Sequence, residues 1–218
     1  MCQCCGEPLH AGTDKGHLCE GCIKDPPAFT SLRSLFWYKG ALKELICGLK
    51  FRAGFYCLPA MAALMEMRPQ MEEMVCRIRK GELVVIPIPL SKKRLQGRGF
   101  NHAHLIARQV FPRQAIKWHL MTKERETESQ AALGLKERRK NLKGAFRAHG
   151  SVKGIDILLF DDVYTTGSTM KEAASTLKSK GAGEIFCLTV ARTPLKERPD
   201  AAPFGSANRH DFSGKIAS

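Results

Sequence analysis

The most informative part of the sequence is a pair of adjacent carboxylates followed by a short run of hydroxyl and glycine residues. Asp161 and Asp162 end an apolar segment, and residues 165–169 then read TTGST before a helical pattern begins. Carboxylates at the carboxyl edge of a parallel sheet can accept hydrogen bonds from vicinal ribose hydroxyls or hold a hydrated Mg²⁺. A glycine-containing turn at a helix N-terminus offers backbone N–H groups and hydroxyls to a phosphate. The stretch therefore predicts a site for a phosphorylated sugar.

The candidate ligands of this sugar phosphate are Asp161, Asp162, Thr165, Thr166, Gly167, Ser168 and Thr169. The two carboxylates are also the candidates for Mg²⁺, directly or through water. The turn is not a Walker A loop, because no Gly-Lys-Ser/Thr triplet is present. The plainer alternative is a strand end whose hydroxyl residues only cap the next helix.

A second group with chemical potential lies in the first 22 residues, which contain five of the nine cysteines. Two C-x2-C pairs supply four candidate zinc ligands: Cys2, Cys5, Cys19 and Cys22. Four thiolates at this spacing predict one tetrahedral, structural Zn²⁺. Cys4 could replace Cys2 or Cys5, and His10 and His17 are weaker candidates. A redox-active dithiol pair is the alternative.

A sheet is needed to bring these residues together, and the hydrophobic pattern predicts one. Apolar runs that read as strands occupy residues 32–38, 83–89, 116–120, 155–160 and 185–191. Helical spacing covers residues 42–49, a methionine-rich helix over about 58–78, and residues 103–110 and 169–180. Strands that alternate with helices predict a parallel sheet covered on both faces.

The charge is concentrated in one segment. The chain carries a net charge of +14, and residues 77–147 contain 18 basic and 5 acidic side chains, a net charge of +13. Such a segment favours a polyanion such as nucleic acid or pyrophosphate. The residues just after the predicted strand 83–89 are the candidate pyrophosphate or phosphate ligands: Ser91, Lys92, Lys93, Arg94 and Arg98. The alternatives are a solvated basic face or contacts to a nucleic-acid backbone.

The sequence predicts a cytoplasmic protein without a membrane span. No uncharged run is long enough to cross a bilayer, and the N-terminus lacks the pattern of a secretory signal. The remaining cysteines lie scattered through apolar stretches, as expected in a reducing compartment: Cys47, Cys57, Cys76 and Cys187.

Residues 158–169, LLFDDVYTTGST, resemble the phosphoribosyl pyrophosphate (PRPP) motif of type I phosphoribosyltransferases. Phe160 stands where a smaller aliphatic residue is commoner in that motif. More of the chain resembles the ComF family of competence-associated proteins, in residues 38–42, 49–51, 87–101 and 125–146 and in the N-terminal cysteines. The resemblance implies that the acidic pair contacts the ribose hydroxyls of PRPP and that the turn holds its 5-phosphate. It also implies that the loop after strand 83–89 binds pyrophosphate and that residues 121–134 close over PRPP.

The expected fold is therefore α/β, a type I phosphoribosyltransferase-like parallel sheet flanked by helices and preceded by a small N-terminal zinc ribbon. We expect a zinc ribbon in residues 1–30, a helical connecting region in 31–80, and the phosphoribosyltransferase-like domain in 81–192. The composition of residues 193–218 predicts a disordered tail.

The resemblance implies a ComF-like protein that binds PRPP with Mg²⁺ and single-stranded DNA and acts in DNA uptake and natural transformation. Other competence proteins are possible partners. The alternative is an active phosphoribosyltransferase that transfers ribose 5-phosphate to a nucleobase or amine, and a third interpretation is a nucleic-acid-binding module with a relic PRPP site. The sequence assigns no catalytic residue and identifies no acceptor.

Overall fold

The computed structural model describes residues 1–9, 17–51, 54–125 and 143–194. The strands in these residues are β1 (Ser31–Trp37), β2 (Val84–Pro87), β3 (Met121–Lys123), β4 (Phe146–Ala148), β5 (Ile157–Tyr164) and β6 (Ile185–Arg192). Four of them form one parallel sheet in the order β1-β6-β5-β2, and β3 pairs antiparallel with β4. All four carboxyl ends therefore lie at one edge of the main sheet.

The helices in the described residues are α1 (Glu20–Lys24), α2 (Gly40–Phe51), α3 (Cys57–Glu66), α4 (Pro69–Arg79), α5 (Lys92–Arg98), α6 (His102–Val110) and α7 (Ser168–Ser179). Side chains of β5 alternate between two buried clusters, as expected for a strand covered on both faces. Leu158 and Phe160 pack with α2, α3, α4 and α6, whereas Ile157 and Leu159 pack with α7. The predicted fold class, a parallel sheet flanked by helices, is confirmed.

The prediction of a single methionine-rich helix over residues 58–78 is wrong. The structure has two helices, α3 and α4, which are separated at Met67 and Arg68. Pro69 is the first residue of α4, and Arg68 before it is extended with φ −95° and ψ 127°. Proline has no N–H to continue a helix and disfavours the helical region for its predecessor, so the break follows from one residue.

The predicted strand over residues 116–120 is reduced to a single parallel bridge between Ile116 and Val85. Two short 3₁₀ turns, Arg113–Ala115 and Trp118–Leu120, flank this bridge. The chain thus runs along the outer edge of β2 without forming a full fifth strand.

The short strand predicted over residues 32–38, at the start of the connecting region, is β1, which pairs with β6 in the main sheet. The domain boundaries stay a prediction. Residues 126–142 and 195–218, which include most of the predicted closing loop and of the tail, lie outside the described residues. Within the described residues, no helix has the length and apolar character needed to cross a membrane.

Candidate functional site

The acidic pair lies at the carboxyl end of β5, in the middle of the sheet edge. Asp162 is 7% exposed, and its carboxylate forms an ion pair with the ammonium of Lys50, Nζ to Oδ2 2.7 Å. Lys50 comes from the last turn of α2, a helix that packs on one face of the sheet. A buried carboxylate requires such a partner, because an unpaired charge is costly away from water. The ion pair therefore connects α2, in the N-terminal half of the chain, to β5.

Asp161 is in a different electrostatic state from its neighbour. Burial, followed by the negative charge of Asp162, raises the pKa of Asp161 to about 8. Its Oδ1 accepts a hydrogen bond from the Asp162 backbone N–H at 2.9 Å, and this bond partly favours the charged form. A divalent cation, or sugar hydroxyls that donate hydrogen bonds, would stabilise the charged form of this carboxyl group. The donor set therefore fits Mg²⁺ with a ribose.

His102 is a buried imidazole beside this pair that the sequence did not single out. The residue is 3% exposed, its Nδ1 accepts from Arg98 Nη1 at 3.5 Å, and its Nε2 has no hydrogen-bond partner among the described residues. Burial lowers the pKa of His102 to about 4, against the opposing effect of Asp162. The ring is thus neutral at physiological pH.

The predicted phosphate turn connects β5 to α7. Gly167 has φ +76° and is the residue before the helix, and no side chain of the described residues caps the first turn. The hydroxyls of Thr166 and Ser168 lie 3.0 Å apart, Thr165 is exposed, and Thr169 is half-buried. The open N-terminus of a twelve-residue helix, with hydroxyls beside it, suits a phosphate group. The structure thus brings the acidic pair and the turn together.

The basic residues after β2 lie at the same sheet edge, because β2 pairs with β5 and Ile88 N–H donates to the Phe160 carbonyl at 2.8 Å. They form a short helix, α5, which Ser91 caps by accepting from the Arg94 backbone N–H at 3.5 Å. Lys92 and Lys93 are exposed. The predicted pyrophosphate ligands are therefore adjacent to the strand that carries the acidic pair.

Asn101 fixes the orientation of the next helix. Its Oδ1 accepts from the His104 backbone N–H at 3.3 Å and caps α6. Its Nδ2 donates to the Ile88 carbonyl at 2.9 Å, at the carboxyl end of β2. Gly99 ends α5 in the left-handed conformation with φ +78°. Residues of the segment 87–101 thus have a structural role, because they hold His102 beside Asp162.

The four predicted zinc ligands meet in space. The Sγ atoms of Cys2, Cys5, Cys19 and Cys22 all lie within 4.8 Å of one another, and three of the four residues are buried. Thiolates around a tetrahedral Zn²⁺ at bonds of about 2.3 Å stand at similar separations, so the cluster fits this ion. Cys4 lies outside the set, and its thiol donates to the Phe29 carbonyl at 3.8 Å. His17 is not in the cluster, and His10 lies outside the described residues.

Backbone groups favour a thiolate in part of this cluster. Burial works against ionisation of Cys2, but hydrogen bonds from the backbones of Cys5, Cys19 and Cys4 lower its pKa to about 7. The Cys19 N–H, for example, lies 3.3 Å from Cys2 Sγ. Burial raises the pKa of Cys5 to about 12. Thiolate ligands at Cys5 therefore need the charge of a metal.

Arg192, at the end of β6, connects the cysteine cluster to the phosphate turn. Its guanidinium is buried, donates to the carbonyls of Cys5 and Gly6, and pairs with the Glu7 carboxylate at 3.0 Å. The same guanidinium lies 4.8 Å from the ring centroid of Tyr164, the last residue of β5. The sequence gives no sign of this connection, because Arg192 is far from both cysteine pairs along the chain.

Tyr164 in turn packs on Gly167. A Cβ added to Gly167 would stand 2.6 Å from Tyr164 Cζ and would also overlap its hydroxyl oxygen. Burial, with a smaller effect of Cys5, raises the pKa of Tyr164, so its hydroxyl stays protonated. The glycine is thus required on two counts, its positive φ and the tyrosine ring against it.

The small β3–β4 sheet stands beside the site. Lys123 forms a parallel bridge with Ser91, and the Glu172 carboxylate of α7 accepts from the Gly144 N–H at 2.6 Å. The predicted closing loop, residues 121–134, begins in β3, and its remainder from residue 126 lies outside the described residues. The chain on both sides of residues 126–142 is thus attached next to the predicted phosphate-binding elements.

Comparison with known proteins identifies related sequences over most of the chain. The phosphoribosyl transferase domain family matches residues 97–212. The chain is 32% identical over 196 residues to the DNA utilization protein YhgH of Escherichia coli O6:H1, covering 86% of this chain and 83% of that protein. It is 28% identical over 208 residues to the competence protein ComFC of Bacillus subtilis, covering 88% and 78% respectively.

Among solved structures, a hypoxanthine phosphoribosyltransferase from Staphylococcus aureus is similar with a TM-score of 0.35 and 14% identity. The alignment covers 57% of this chain and 61% of that one. A likeness of this extent carries no conclusion about activity or substrate.

Proposed function

This chain belongs to the ComF family of phosphoribosyl transferase domain proteins, and we propose that it binds PRPP with Mg²⁺ and single-stranded DNA in a role in DNA uptake. The observation that carries the proposal is the acidic pair at the carboxyl end of β5, followed by an uncapped turn with Gly167 at φ +76°. The names of its relatives, DNA utilization protein and competence protein, support the role in DNA uptake.

Each part of PRPP has a candidate partner in this proposal. The turn from Thr165 to Thr169 receives the 5-phosphate, and Asp161 and Asp162 accept hydrogen bonds from the ribose hydroxyls. The basic residues of α5 and Ser91 receive the pyrophosphate. Mg²⁺ neutralises part of the phosphate charge when it is bound. Lys50 keeps one carboxylate compensated while the other is available to the ligand.

Calorimetric titration with PRPP and Mg²⁺ tests the sugar-phosphate site. We expect the wild type to bind, and the double variant Asp161→Asn with Asp162→Asn to bind PRPP and ribose 5-phosphate at least tenfold more weakly. Inorganic phosphate binding should be kept, because these substitutions leave the turn intact. If the wild type shows no binding at millimolar PRPP, the proposal that this protein binds PRPP is wrong.

Release of pyrophosphate distinguishes a binding protein from a transferase. PRPP and Mg²⁺ are incubated with the protein and a panel of nucleobases and amines, and free pyrophosphate is measured. Acceptor-dependent release would establish phosphoribosyl transfer. The bond broken in such a reaction is the one between the anomeric carbon and pyrophosphate, so cations that stabilise the leaving group contribute more than a general base.

The DNA part of the proposal rests on charge. We expect single strands to bind with little sequence preference and with a log–log salt slope of roughly −0.7 per phosphate neutralised. Replacing Lys92, Lys93 and Arg94 together by Ala should reduce the magnitude of the log–log slope by about 2, or roughly 0.7 for each cation removed. Binding that does not depend on salt, or no binding at low salt, contradicts this part.

A further inference from the structure

A largely exposed tryptophan and two arginines line one depression at the outer edge of β2, and the proposed PRPP site uses none of these residues. Trp118 is 58% exposed, although large aromatic side chains usually gain from burial. It lines an open depression of about 210 Å³ together with His104, Arg108, Arg113 and Ile116. An exposed indole in a depression is a candidate binding surface.

The backbone holds this tryptophan in place despite its exposure. Ile116 is bridged to Val85 of β2, and the Lys117 N–H donates to the Val85 carbonyl at 2.8 Å. Trp118 follows directly and starts a 3₁₀ turn. The indole is therefore presented from a fixed edge of the sheet, which lowers the entropy cost of binding on it.

A second aromatic ring lies beside the indole. The imidazole of His104 stacks beside Trp118 with centroids 6.1 Å apart and planes inclined by 25°. Burial, and then the nearby Arg108, lower the pKa of His104, so this ring is uncharged at physiological pH. The outer face of such a pair of nearly parallel rings is a surface on which a planar group can stack.

The positive charge of the depression comes from its arginines. Arg108 is one helical turn after His104 on α6, and Arg113 lies in the first 3₁₀ turn. Both are exposed, and neither forms an ion pair with any residue in the described ranges. Uncompensated guanidinium groups beside an aromatic surface match an anion that carries flat rings.

We propose that Trp118, with His104, Arg108 and Arg113, forms a base-stacking subsite for single-stranded DNA. A nucleobase stacks on the indole, and the two guanidinium groups bind neighbouring phosphates. The inference rests on the proposed DNA-binding function and adds a specific interaction to it, since backbone charge alone needs no aromatic ring. Tryptophan and arginine also occur at protein interfaces, but two uncompensated cations favour the polyanion.

Tryptophan fluorescence tests the stacking directly. The chain has two tryptophans, so the variant Trp37→Phe leaves Trp118 as the single emitter. We expect oligothymidylate to quench this emission and an abasic oligomer of equal length to leave it nearly unchanged. The reciprocal variant, Trp118→Phe, reports on Trp37 of β1 and should not be quenched.

Affinity measurements give the size of the stacking interaction. Trp118→Ala should bind oligothymidylate roughly 5- to 150-fold more weakly, the usual range for loss of one stacked base, while its affinity for the abasic oligomer should change less than about twofold. Trp118→Phe should retain most of the affinity, because it keeps an aromatic face. Trp37→Ala is the matched control, an exposed tryptophan on the opposite edge strand, and should have no effect.

The arginines are tested through the salt dependence. Replacing Arg108 and Arg113 by Ala should reduce the log–log slope by about 1.4, or roughly 0.7 for each phosphate that is no longer neutralised. Lys39→Ala with Lys43→Ala removes the same charge from exposed positions elsewhere and is the control. Its slope should stay that of the wild type.

The outcomes separate the subsite from the proposed function. A wild type that does not bind single strands overturns both the DNA-binding function and the subsite. Normal DNA binding with unquenched Trp118 and an unaffected Trp118→Ala variant overturns the subsite alone. Equal losses of affinity for oligothymidylate and for the abasic oligomer in Trp118→Ala also overturn stacking. If Trp118→Ala changes the oligomeric state but binds DNA normally, the surface is a protein interface.

Discussion

At the residue scale, the two carboxylates of the acidic pair are adjacent but not equivalent. Asp162 has the ammonium of Lys50 at 2.7 Å, whereas Asp161 has a pKa raised to about 8 by burial and by its neighbour. One nearby ammonium therefore compensates the pair while Asp161 is protonated, but not when both carboxylates are charged. A ligand that brings Mg²⁺ or sugar hydroxyls supplies the missing stabilisation.

The ion pair can be tested by removing its cation. Lys50→Met leaves the Asp162 carboxylate buried without its partner, and we expect the free energy of unfolding to fall by about 1–3 kcal/mol. Adding Asp162→Asn should restore part of this stability. Urea unfolding of the single and double variants measures the coupling, and Lys43→Met, an exposed lysine of the same helix, is the control. Additive effects would show that the two residues do not interact.

His102 predicts a pH dependence of stability. Its pKa of about 4 in the folded protein lies below the usual 6.5, so between these values the unfolded chain takes up a proton that the folded chain does not. This contribution to stability is complete above pH 6.5 and is lost as the pH falls towards 4. Relative to His102→Gln, the wild type should lose up to about 3 kcal/mol over this interval.

Unfolding curves at several pH values check this prediction. His119→Gln, at an exposed histidine, is the control and should follow the wild type. A wild type and a His102→Gln variant with parallel stability profiles would mean that His102 titrates normally in the folded state.

At the scale of elements, the strand β5, the turn and α7 form one unit whose geometry depends on Gly167. The strand brings the carboxylates to the sheet edge, and the turn reverses the chain so that the N-terminus of α7 faces the same edge. Tyr164 ends the strand and packs against the glycine. A side chain at this glycine would therefore disturb both the turn and the tyrosine.

Gly167→Ala should weaken PRPP binding at least tenfold, because the alanine Cβ displaces Tyr164 and strains the turn by about 1–2 kcal/mol. Gly181→Ala is the matched control: this glycine also has a positive φ, +82°, but its Cβ would only make ordinary contact with Lys153. Gly181→Ala should lose only the stability that the positive φ costs, and its PRPP affinity should be unchanged. Calorimetry that finds equal affinities for both variants would refute the role of the tyrosine packing.

At the scale of the whole molecule, the cysteine cluster is attached to the main sheet. The Leu32 N–H of β1 donates to the Cys4 carbonyl at 2.6 Å, and Arg192 of β6 binds the carbonyls of Cys5 and Gly6. Because Arg192 also contacts Tyr164, the folded cluster and the phosphate turn share one guanidinium. Loss of the metal should therefore affect the distant site.

We expect one Zn²⁺ per chain, which Cys22→Ser should release, with a lower melting temperature and PRPP affinity reduced several-fold. Arg192→Met should keep the zinc but weaken PRPP binding in the same way. Arg79→Met, at an exposed arginine of α4, is the control. Purified protein with free thiols and no zinc would refute the metal site, and unchanged PRPP affinity after zinc loss would refute the coupling.

The sequence by itself determined the features that depend on neighbours along the chain. The apolar run before Asp161, the TTGST turn and the C-x2-C pairs are local patterns, so their residue types indicate both the structure and the candidate ligands. The alternation of apolar strands and helices likewise determined the parallel sheet, because buried strands and amphipathic helices differ in periodicity. The break at Pro69 was equally local and could have been predicted.

Only the tertiary structure decided which distant residues complete these sites. Lys50 reaches Asp162 because α2 packs on the face of the sheet to which the Asp162 side chain points. Arg192 meets Cys5, 187 positions away in sequence, because β6 lies next to β1. The aromatic pair of Trp118 and His104 depends on the path of the chain along β2. Such pairings follow from how packed layers bring sequence-distant side chains together, and no periodicity in the sequence encodes them.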